Sequence, residues 1–299
     1  MAHKNCNLNA AKTAKNDEFY TQLTDIEKEL RHYKKHFTGK TVFCNCDDPT
    51  WSEFWRYFHL NFQELGLKKL ISTHYDAHAS TYKLEYMGGD DANIEAGIKT
   101  ALSGNGDFRS EECIDLLQDS DIVVTNPPFS LFRSFLAQLL QYQKQFVIIG
   151  NMNAIKYKDV FPLIATNHLW LGNNIVRSFK QPDGTIKQFG KVCWYTNLDI
   201  AKRHEHLILW KTYNPQEYPK YDTYDAIEVS RVENIPKDYD GVMGVPISFI
   251  NKYSPEQFEI IGELNHGCDN TFDLAKPIIN GKELFPRIII RKVVEKYGV

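Results

Sequence analysis

No stretch of the 299 residues stays apolar long enough to span a bilayer, so a helical membrane anchor is not expected. The opening "MAHKNCNLNAAKTAKNDEF" lacks the apolar core of a secretory signal, and a cytoplasmic location is expected. Cysteine is sparse and irregularly spaced. Cys6, Cys44, Cys46, Cys113, Cys193 and Cys268 form no disulfide framework, and "CNC" has no second pair to complete a zinc site. Thiols are expected, no metal is implied, and Cys44 and Cys46 should alternate along one strand. Internal repeats and low-complexity tracts are missing. Neither sign of charge dominates, with a net charge of −3. The 42% hydrophobic and 24% charged content is that of an ordinary globular protein of one large domain or two modest ones.

From about residue 41 to 155 the pattern alternates strand and helix. "KTVFCNC", "KKLISTHYD", "DIVVTNPPF" and "KQFVIIGNMNA" read as strands, and "TYKLEYMGG" as part of a hairpin arm. "DDPTWSEFWRYFHLNFQELG" reads as a turn and a helix, and "EECIDLLQDS" as a helix. An earlier amphipathic helix is predicted near "LTDIEKELRHYKKHF", capped at Thr24. The alternation predicts an α/β fold with a mostly parallel, doubly wound sheet. After residue 165 the character changes. "LWLGNN", "KQPDGTIKQFGKVCWYTN" and "HLILWKTYN" read as strands with turns, and "IINGKELFPRIIIRKV" carries an Asn-Gly hairpin signal. The predicted division is therefore a core at 1–165 and a second region at 166–299, whose last strands return to the core.

One segment carries more than structure. In "DIVVTNPPFS" (121–130) a β-branched run ends on Asn126, Pro127, Pro128 and Phe129. Proline cannot extend a ladder and holds the residue before it extended. Ser130 is then a suitable helix cap for "LFRSFLAQLLQYQKQ". The unit presents an Asn amide and a Phe ring beyond the carboxyl end of a strand, where open α/β sheets bind ligands. The bland alternative is a proline-stiffened loop with a buried Phe. The tetrapeptide after a hydrophobic run resembles motif IV of amino-group methyltransferases.

That resemblance implies S-adenosylmethionine, which offers a zwitterionic methionine end, a ribose diol and an adenine. After the first strand, "FCNCDDPTWS" has none of the glycines usual at such a turn; it offers Asp47 and Asp48, with Thr50 and Ser52 as caps. A carboxylate there suits the cofactor ammonium, or both aspartates cap the helix. Asp76 ends the second strand, where an acid takes two hydrogen bonds from a ribose diol, or it is an ordinary turn residue. In "GNGDFRS", Asp107 and Phe108 resemble motif III, with the carboxylate accepting from the adenine amino group. "NDEFYT" resembles motif X, with Phe19, Tyr20 and Thr21 closing over the methionine end.

Together "NDEFYT", "FCNCDDP", "GDFRS", "DIVVTNPPFS", "GVPISFINKYSPEQFEIIG" and "INGKELFPRIIIRK" resemble the EcoRI-type adenine-specific methyltransferase family over almost the whole chain. The resemblance implies a Rossmann-like methyltransferase sheet with a C-terminal target-recognition region, acting on adenine N6 in double-stranded DNA. A monomer of restriction–modification type is expected; a cognate endonuclease without direct contact to it, and an orphan or phage-borne role, are both open. The charge distribution is compatible. Residues 151–210 are net +4 and rich in aromatics, whereas 41–150 are net −7. A nucleic-acid binder needs a basic face, not a basic total. Lys156, Lys158, Arg177, Lys180, Lys187 and Lys191 are the candidates, against a solvated surface over an aromatic core. N4-cytosine methylation, RNA or glutamine methylation, and a catalytically silent DNA-binding module are the competing readings.

Overall fold

The computed structural model describes residues 20–46, 48–180, 184–265 and 271–293. The chain forms two compact units, one running to Asn153 and resuming over Gly172–Leu198, the other built from Ala154–Leu171 and the residues from Asp199 onward. It therefore crosses between units three times, where the sequence predicts one boundary at 165.

The first unit contains β1 (Tyr20–Thr21), α1 (Leu23–Leu30), α2 (Lys34–Phe37), β2 (Thr41–Cys44), α3 (Glu53–Leu60) and α4 (Phe62–Leu65). It continues with β3 (Lys69–Thr73), β4 (Tyr82–Tyr86), β5 (Ile98–Ala101), α5 (Glu111–Asp119), β6 (Ile122–Thr125), α6 (Phe132–Gln141), β7 (Gln145–Asn151), β8 (Trp170–Lys180) and β9 (Ile186–Thr196). One nine-stranded sheet has the order β1-β8-β9-β7-β6-β2-β3-β4-β5. The four central strands are mutually parallel. Antiparallel strands flank them, β4 beside β3 and β9 beside β7, so the sheet is mixed. The TVFC of β2 and the β-branched run of β6 are buried at every position, as strands covered on both faces must be. Residues 172–198 join this sheet because β9 pairs with β7 from Val147↔Thr196 to Asn151↔Val192.

Several local expectations change. Ser52 caps α3, accepting from Phe54 N and Trp55 N, and Ser110 caps α5. Ser130 does not cap α6: a 3₁₀ turn over Phe129–Leu131 intervenes, and Leu131 is the N-cap. Thr24 lies inside α1, whose N-cap is Gln22; the Gln22 side chain instead donates to Ser178 Oγ at 2.7 Å. Cys46 lies beyond the end of β2, so the two cysteines do not share a strand. Cys44, Cys46, Cys113 and Cys193 are thiols. The buried Glu29 carboxylate ties α1 to β8, accepting from Asn173 N, Asn174 N and Tyr33 Oη, each at 2.8 Å.

The second unit contains α7 (Phe161–Ala165), β10 (Ile227–Glu228), β11 (Met243–Pro246), β12 (Phe258–Leu264), β13 (Asp273–Ala275), β14 (Ile278–Ile279), β15 (Lys282–Glu283) and β16 (Arg287–Lys292). Its five-stranded sheet has the order β10-β11-β16-β12-β13. The C-terminal strands thus make a sheet of their own. The Asn-Gly signal is a turn between β14 and β15, with both Asn280 and Gly281 at positive φ. "HLILWKTYN" is not a strand: the Gln257 side chain, not a neighbouring strand, bonds both Leu207 N and Leu207 O. Glu228, Arg287 and Tyr221 form a buried cluster in which Arg287 Nη2 reaches Glu228 Oε1 at 2.7 Å and Tyr221 Oη donates to Glu228 Oε2.

Glu263 on β12 lies directly across from Asp273 on β13 and is 1% exposed. Burial, then the Asp273 charge, push its carboxyl up to about 7, with Asn265 and Lys156 opposing. Below its ordinary value of 4.5 the group is protonated whether folded or not. Between 4.5 and about 7 the unfolded chain ionises first, so this group's contribution to stability is lost as pH rises through that window. Glu263→Gln should therefore raise the melting temperature by several degrees at pH 8 and change it little at pH 4.5. Thermal melts at both pH values check this; equal shifts would contradict it.

Candidate active site

From β2 the chain moves to β3 on one side, while β6 pairs on the other. The carboxyl ends of β2 and β6 therefore frame the point where strand order reverses, the place where open α/β sheets form a ligand crevice. Val42 lies opposite Ile122 and Phe43 opposite Val123, which brings Asn45 beside Thr125 and Asn126. Thr125 Oγ1 donates to Asn45 O, and Ser72 Oγ donates to Cys44 O at 2.9 Å. Three strand ends are thus stitched together by side chains. Asn45 and Asn126 are both buried, at 2% and 8% exposure.

The glycine-free turn after β2 has its own solution. Cys46 adopts φ +69°, the left-handed conformation that glycine usually supplies, and its thiol donates to Asn45 Oδ1 at 2.7 Å. Composition gave no hint of this. Asp47 lies outside the described residues. Asp48 is heavily engaged. Its Oδ1 accepts from Thr50 N (2.9 Å), Thr50 Oγ1 (2.7 Å) and Tyr82 Oη (3.0 Å), and Oδ2 lies 3.4 Å from His74 Nε2. Burial and this neighbouring carboxylate push the Tyr82 hydroxyl up to about 12.

Asp76 and Asp107 are brought together. Asp76 N donates to Asn105 O at 3.0 Å, and Asn105 Oδ1 accepts from Asp107 N at 3.2 Å. Gly106, at φ +73°, lies so close to His74 O that an added Cβ would approach it to 2.0 Å. Only glycine fits this contact. Glu112, which the sequence reading passed over, accepts from Ser103 N and Gly104 N at 2.9 Å each and holds the same loop. Asp76 Oδ1 accepts from His78 N at 2.8 Å. Asp107 is paired with Arg109, whose Nε and Nη2 reach it at 2.8 and 2.6 Å; those bonds hold its carboxyl below the usual range. Phe108 is 5% exposed and packs edge-on against Phe135 on α6, so its ring belongs to the core.

Phe129 is half-buried. Its ring meets Phe179 on β8 and Phe189 on β9 at 6.0 and 6.3 Å, and those two meet each other at 5.4 Å, all edge-to-face. Pro127 and Pro128 lead into this trio, and Pro128 O accepts from Leu131 N at 2.9 Å. Phe19 and the Tyr20 side chain lie outside the described residues. Tyr20 and Thr21 pair with Lys180 and Phe179, so the N-terminal segment runs beside the aromatic trio. Arg177, Lys180, Lys187 and Lys191 are exposed on β8 and β9 in this same unit, with Lys187 Nζ 5.4 Å from the centre of the Phe189 ring. Lys156 and Lys158 are exposed in the second unit. No group of His, Cys, Asp and Glu suited to a metal occurs among the described residues, nor any helix long and apolar enough to cross a membrane.

A family model described as "Adenine-specific methyltransferase EcoRI" matches residues 7–293. The chain belongs to that family. It is 46% identical to Type II methyltransferase M.EcoRI of Escherichia coli, over 95% of each chain. It is 38% identical to Type II methyltransferase M.MgeORF184P of Mycoplasma genitalium, over 95% of this chain and 98% of the relative. It is 40% identical to Type II methyltransferase M.MpnI of Mycoplasma pneumoniae, over 85% and 84% respectively. No solved structure matches the chain. Family membership makes the chain an adenine-specific methyltransferase of the restriction–modification kind, and its Asn-Pro-Pro-Phe segment stands at the switch point of the sheet.

Proposed function

We propose that the chain transfers a methyl group from S-adenosylmethionine to N6 of an adenine turned out of duplex DNA at a specific sequence, and that its first unit is a Rossmann-like methyltransferase core. The observation that carries this is the position of Asn126 and Phe129 beyond β6, against the β2 turn and beside an aromatic wall.

The residues present suit the donor. Thr21 Oγ1 is buried and has no partner among the described residues, which fits a segment that closes over a polar group. Asp76 and Asp107 share one locked loop at the end of β3, on the side where ribose and adenine would be met. Asp107 Oδ2 accepts from Arg109 Nη2, and its second lone pair suits an adenine amino group. Asp48 has its Oδ1 taken by Thr50 and Tyr82, while its Oδ2 faces His74 Nε2 at 3.4 Å, so any ammonium contact there falls to Oδ2. When bound, the donor supplies an electrophilic methyl on a sulfonium.

Adenine N6 is a poor nucleophile because its lone pair is delocalised into the ring. The Asn126 side-chain oxygen and the Pro127 carbonyl would each accept one amino hydrogen. Both contacts favour the pyramidal nitrogen of the transition state over the flat ground state, and only such a difference lowers the barrier. The two prolines hold these acceptors in place beforehand. Phe129 offers a face for the base, backed by Phe179 and Phe189. A base reaches this pocket only after leaving the duplex, at a cost of a few kcal/mol that contacts to the DNA must offset.

Incubating the chain with duplex DNA and the donor, then sequencing the modified bases, tests the function. N6-methyladenine at one recurring sequence is expected; N4-methylcytosine, or no incorporation, would overturn it. The basic arm of β8 and β9 is proposed to grip phosphates, and the second unit to take part in target recognition. Replacing Lys180, Lys187 and Lys191 with Gln should weaken binding to any duplex. It should also make the log-affinity against log-salt slope shallower by about 0.9 per lost phosphate contact. A salt titration on specific and random duplexes checks this, and an unchanged slope would place the grip elsewhere.

A further inference from the structure

The second unit exposes an apolar pair that its own packing does not explain. Ile208 is 91% exposed, the highest value among the described large apolar side chains, and Trp210 is 60% exposed. Exposure alternates along this segment: His206, Ile208, Trp210 and Thr212 are exposed, while Leu207, Leu209 and Lys211 are half-buried. Both ends are pinned. On one side the Gln257 side chain bonds Leu207 N and Leu207 O at 2.7 and 2.8 Å. On the other, Lys211 O accepts from Lys237 N at 2.9 Å, and Tyr213 N donates to Asp238 Oδ1 at 2.7 Å. The Tyr213 ring also packs on Tyr239, with centroids 4.6 Å apart. Between these pins the backbone of Ile208, Leu209 and Trp210 has no hydrogen-bond partner among the described residues. Two large apolar side chains are thus held in water at fixed positions.

A single exposed apolar residue is ordinary, but a pinned pair at successive exposed positions marks a contact surface. It is too small for a second copy of the chain. The two side chains offer about 300 Å² together, against about 800 Å² per partner in a stable protein interface. The neighbouring charge points to a polyanion. Lys211 Nζ lies 5.0 Å from the centre of the Trp210 ring and has no ion pair among the described residues. Lys202 and Arg203 precede the pair, and Glu205 is the one acid between 202 and 211. Of the acids brought close by folding, Asp199 and Glu256 are bonded by His204 at 2.7 and 2.6 Å, and Asp238 by the Tyr213 amide. Duplex DNA is the polyanion on which the proposed reaction takes place. Stacking hides the flat faces of its bases, and its groove edges are polar except at one feature, the thymine 5-methyl group in the major groove. A rigid apolar pair can meet such a methyl without unstacking a base.

We propose that Ile208 and Trp210 determine sequence specificity by packing on thymine 5-methyl groups in the major groove of the target, with Lys211 on an adjacent phosphate. This rests on the reading that a specific duplex sequence is the substrate, and it assigns the second unit's part in recognition to named side chains. Every site that contains adenine carries thymine on the opposite strand, so a methyl is always present. The contact distinguishes thymine from cytosine, which lacks that methyl. Because the pair is pinned before DNA arrives, little ordering of the protein opposes binding.

Fluorescence anisotropy with the full chain tests this on duplexes that carry its recognised sequence. Each thymine is replaced in turn by deoxyuridine, which differs only in lacking the methyl. Wild type should lose about fourfold in affinity at one or two positions, the effect expected of one buried methyl. Ile208→Ser and Trp210→Ser should bind the thymine duplex about tenfold more weakly, and at least one of them should lose the preference for thymine over deoxyuridine. Their melting temperatures should match wild type, since both side chains lie in water. Lys211→Gln should keep the thymine preference and make the log-affinity against log-salt slope shallower by about 0.9. A wild type indifferent to the methyl at every position, or a preference that survives in both serine variants, would overturn the proposal. Equal losses on thymine and deoxyuridine duplexes would overturn it too, because they would mark a side chain wedged between bases. So would variants that bind DNA normally and lose only self-association in sedimentation, the sign of a protein interface. If wild type prefers no duplex sequence over another, the reading of site-specific methylation falls first and this proposal with it.

Discussion

Asn126→Ala should lower the rate of methyl transfer by a factor of a hundred or more while leaving the affinity for S-adenosylmethionine unchanged. The side chain is assigned to the amino group and not to the donor. Removing one preorganised group that acts mainly on the transition state typically costs about 10²–10³ in kcat. Asn126 is fixed by its surroundings rather than by its own rotamer alone. The neighbouring Thr125 is tied to Asn45 O, and Pro127 restricts the Asn126 backbone to extended conformations. Asn126→Asp keeps an acceptor at the same place and should retain more activity than Asn126→Ala. Single-turnover transfer of a tritiated methyl group, with binding measured in parallel by calorimetry, gives both quantities. Near-normal turnover in Asn126→Ala would remove the residue from the mechanism, and a parallel loss of donor affinity would move it to the cofactor site.

A second large effect is expected in the other unit. Arg287→Ala should destabilise it by about 3–5 kcal/mol, the usual consequence of leaving a buried carboxylate without its partner. The Arg287 and Glu228 side chains are 13% and 8% exposed, and Arg287 Nε and Nη2 both reach the Glu228 carboxylate. Tyr221 Oη shares that carboxylate, so the deletion strands a charge that a neutral hydroxyl cannot neutralise. The double replacement Arg287→Met with Glu228→Gln should recover much of the loss. Denaturant melts of the single and double variants check this; a single variant as stable as wild type would show that water or a local shift compensates the carboxylate.

The sequence was most informative where one local cause decides the structure. The strands β2 and β6, buried on both sides, show in the hydrophobic pattern. The stop after Thr125 shows in the two prolines, and the turn at Asn280 and Gly281 in the dipeptide itself. Legibility failed where a distant partner decides. Nothing near residue 172 says that the following strands close the first sheet, because the cause is pairing with β7 some forty residues earlier. Cys46 could not be read as the left-handed residue of the β2 turn, since a non-glycine there is held by its surroundings, not by propensity. Thr24 and Ser130 fit the cap pattern in composition, but the adjacent 3₁₀ turn and the pairing of β1 moved the helix starts. At the candidate site, Asn126 and the Asp76–Asp107 loop were recognisable from short motifs. Glu112 was not, because its hold on the backbone of Ser103 and Gly104 exists only in three dimensions.

The threading of the chain between its two units bears on how it is made. Synthesis runs from the N-terminus, and domains tend to fold as they emerge, at roughly 5–20 residues per second. When β7 leaves the ribosome, its outer neighbour β9 has not yet been translated. The 18 residues from Ala154 to Leu171, which belong to the other unit, must come first. For the few seconds needed to reach Thr196, "QFVIIGN" has an unpaired edge in an otherwise formed parallel sheet, and such an edge can pair with another nascent chain. Slower translation between codons 152 and 196, or growth at high expression rates, should then raise the aggregated fraction without any change in the finished protein's stability.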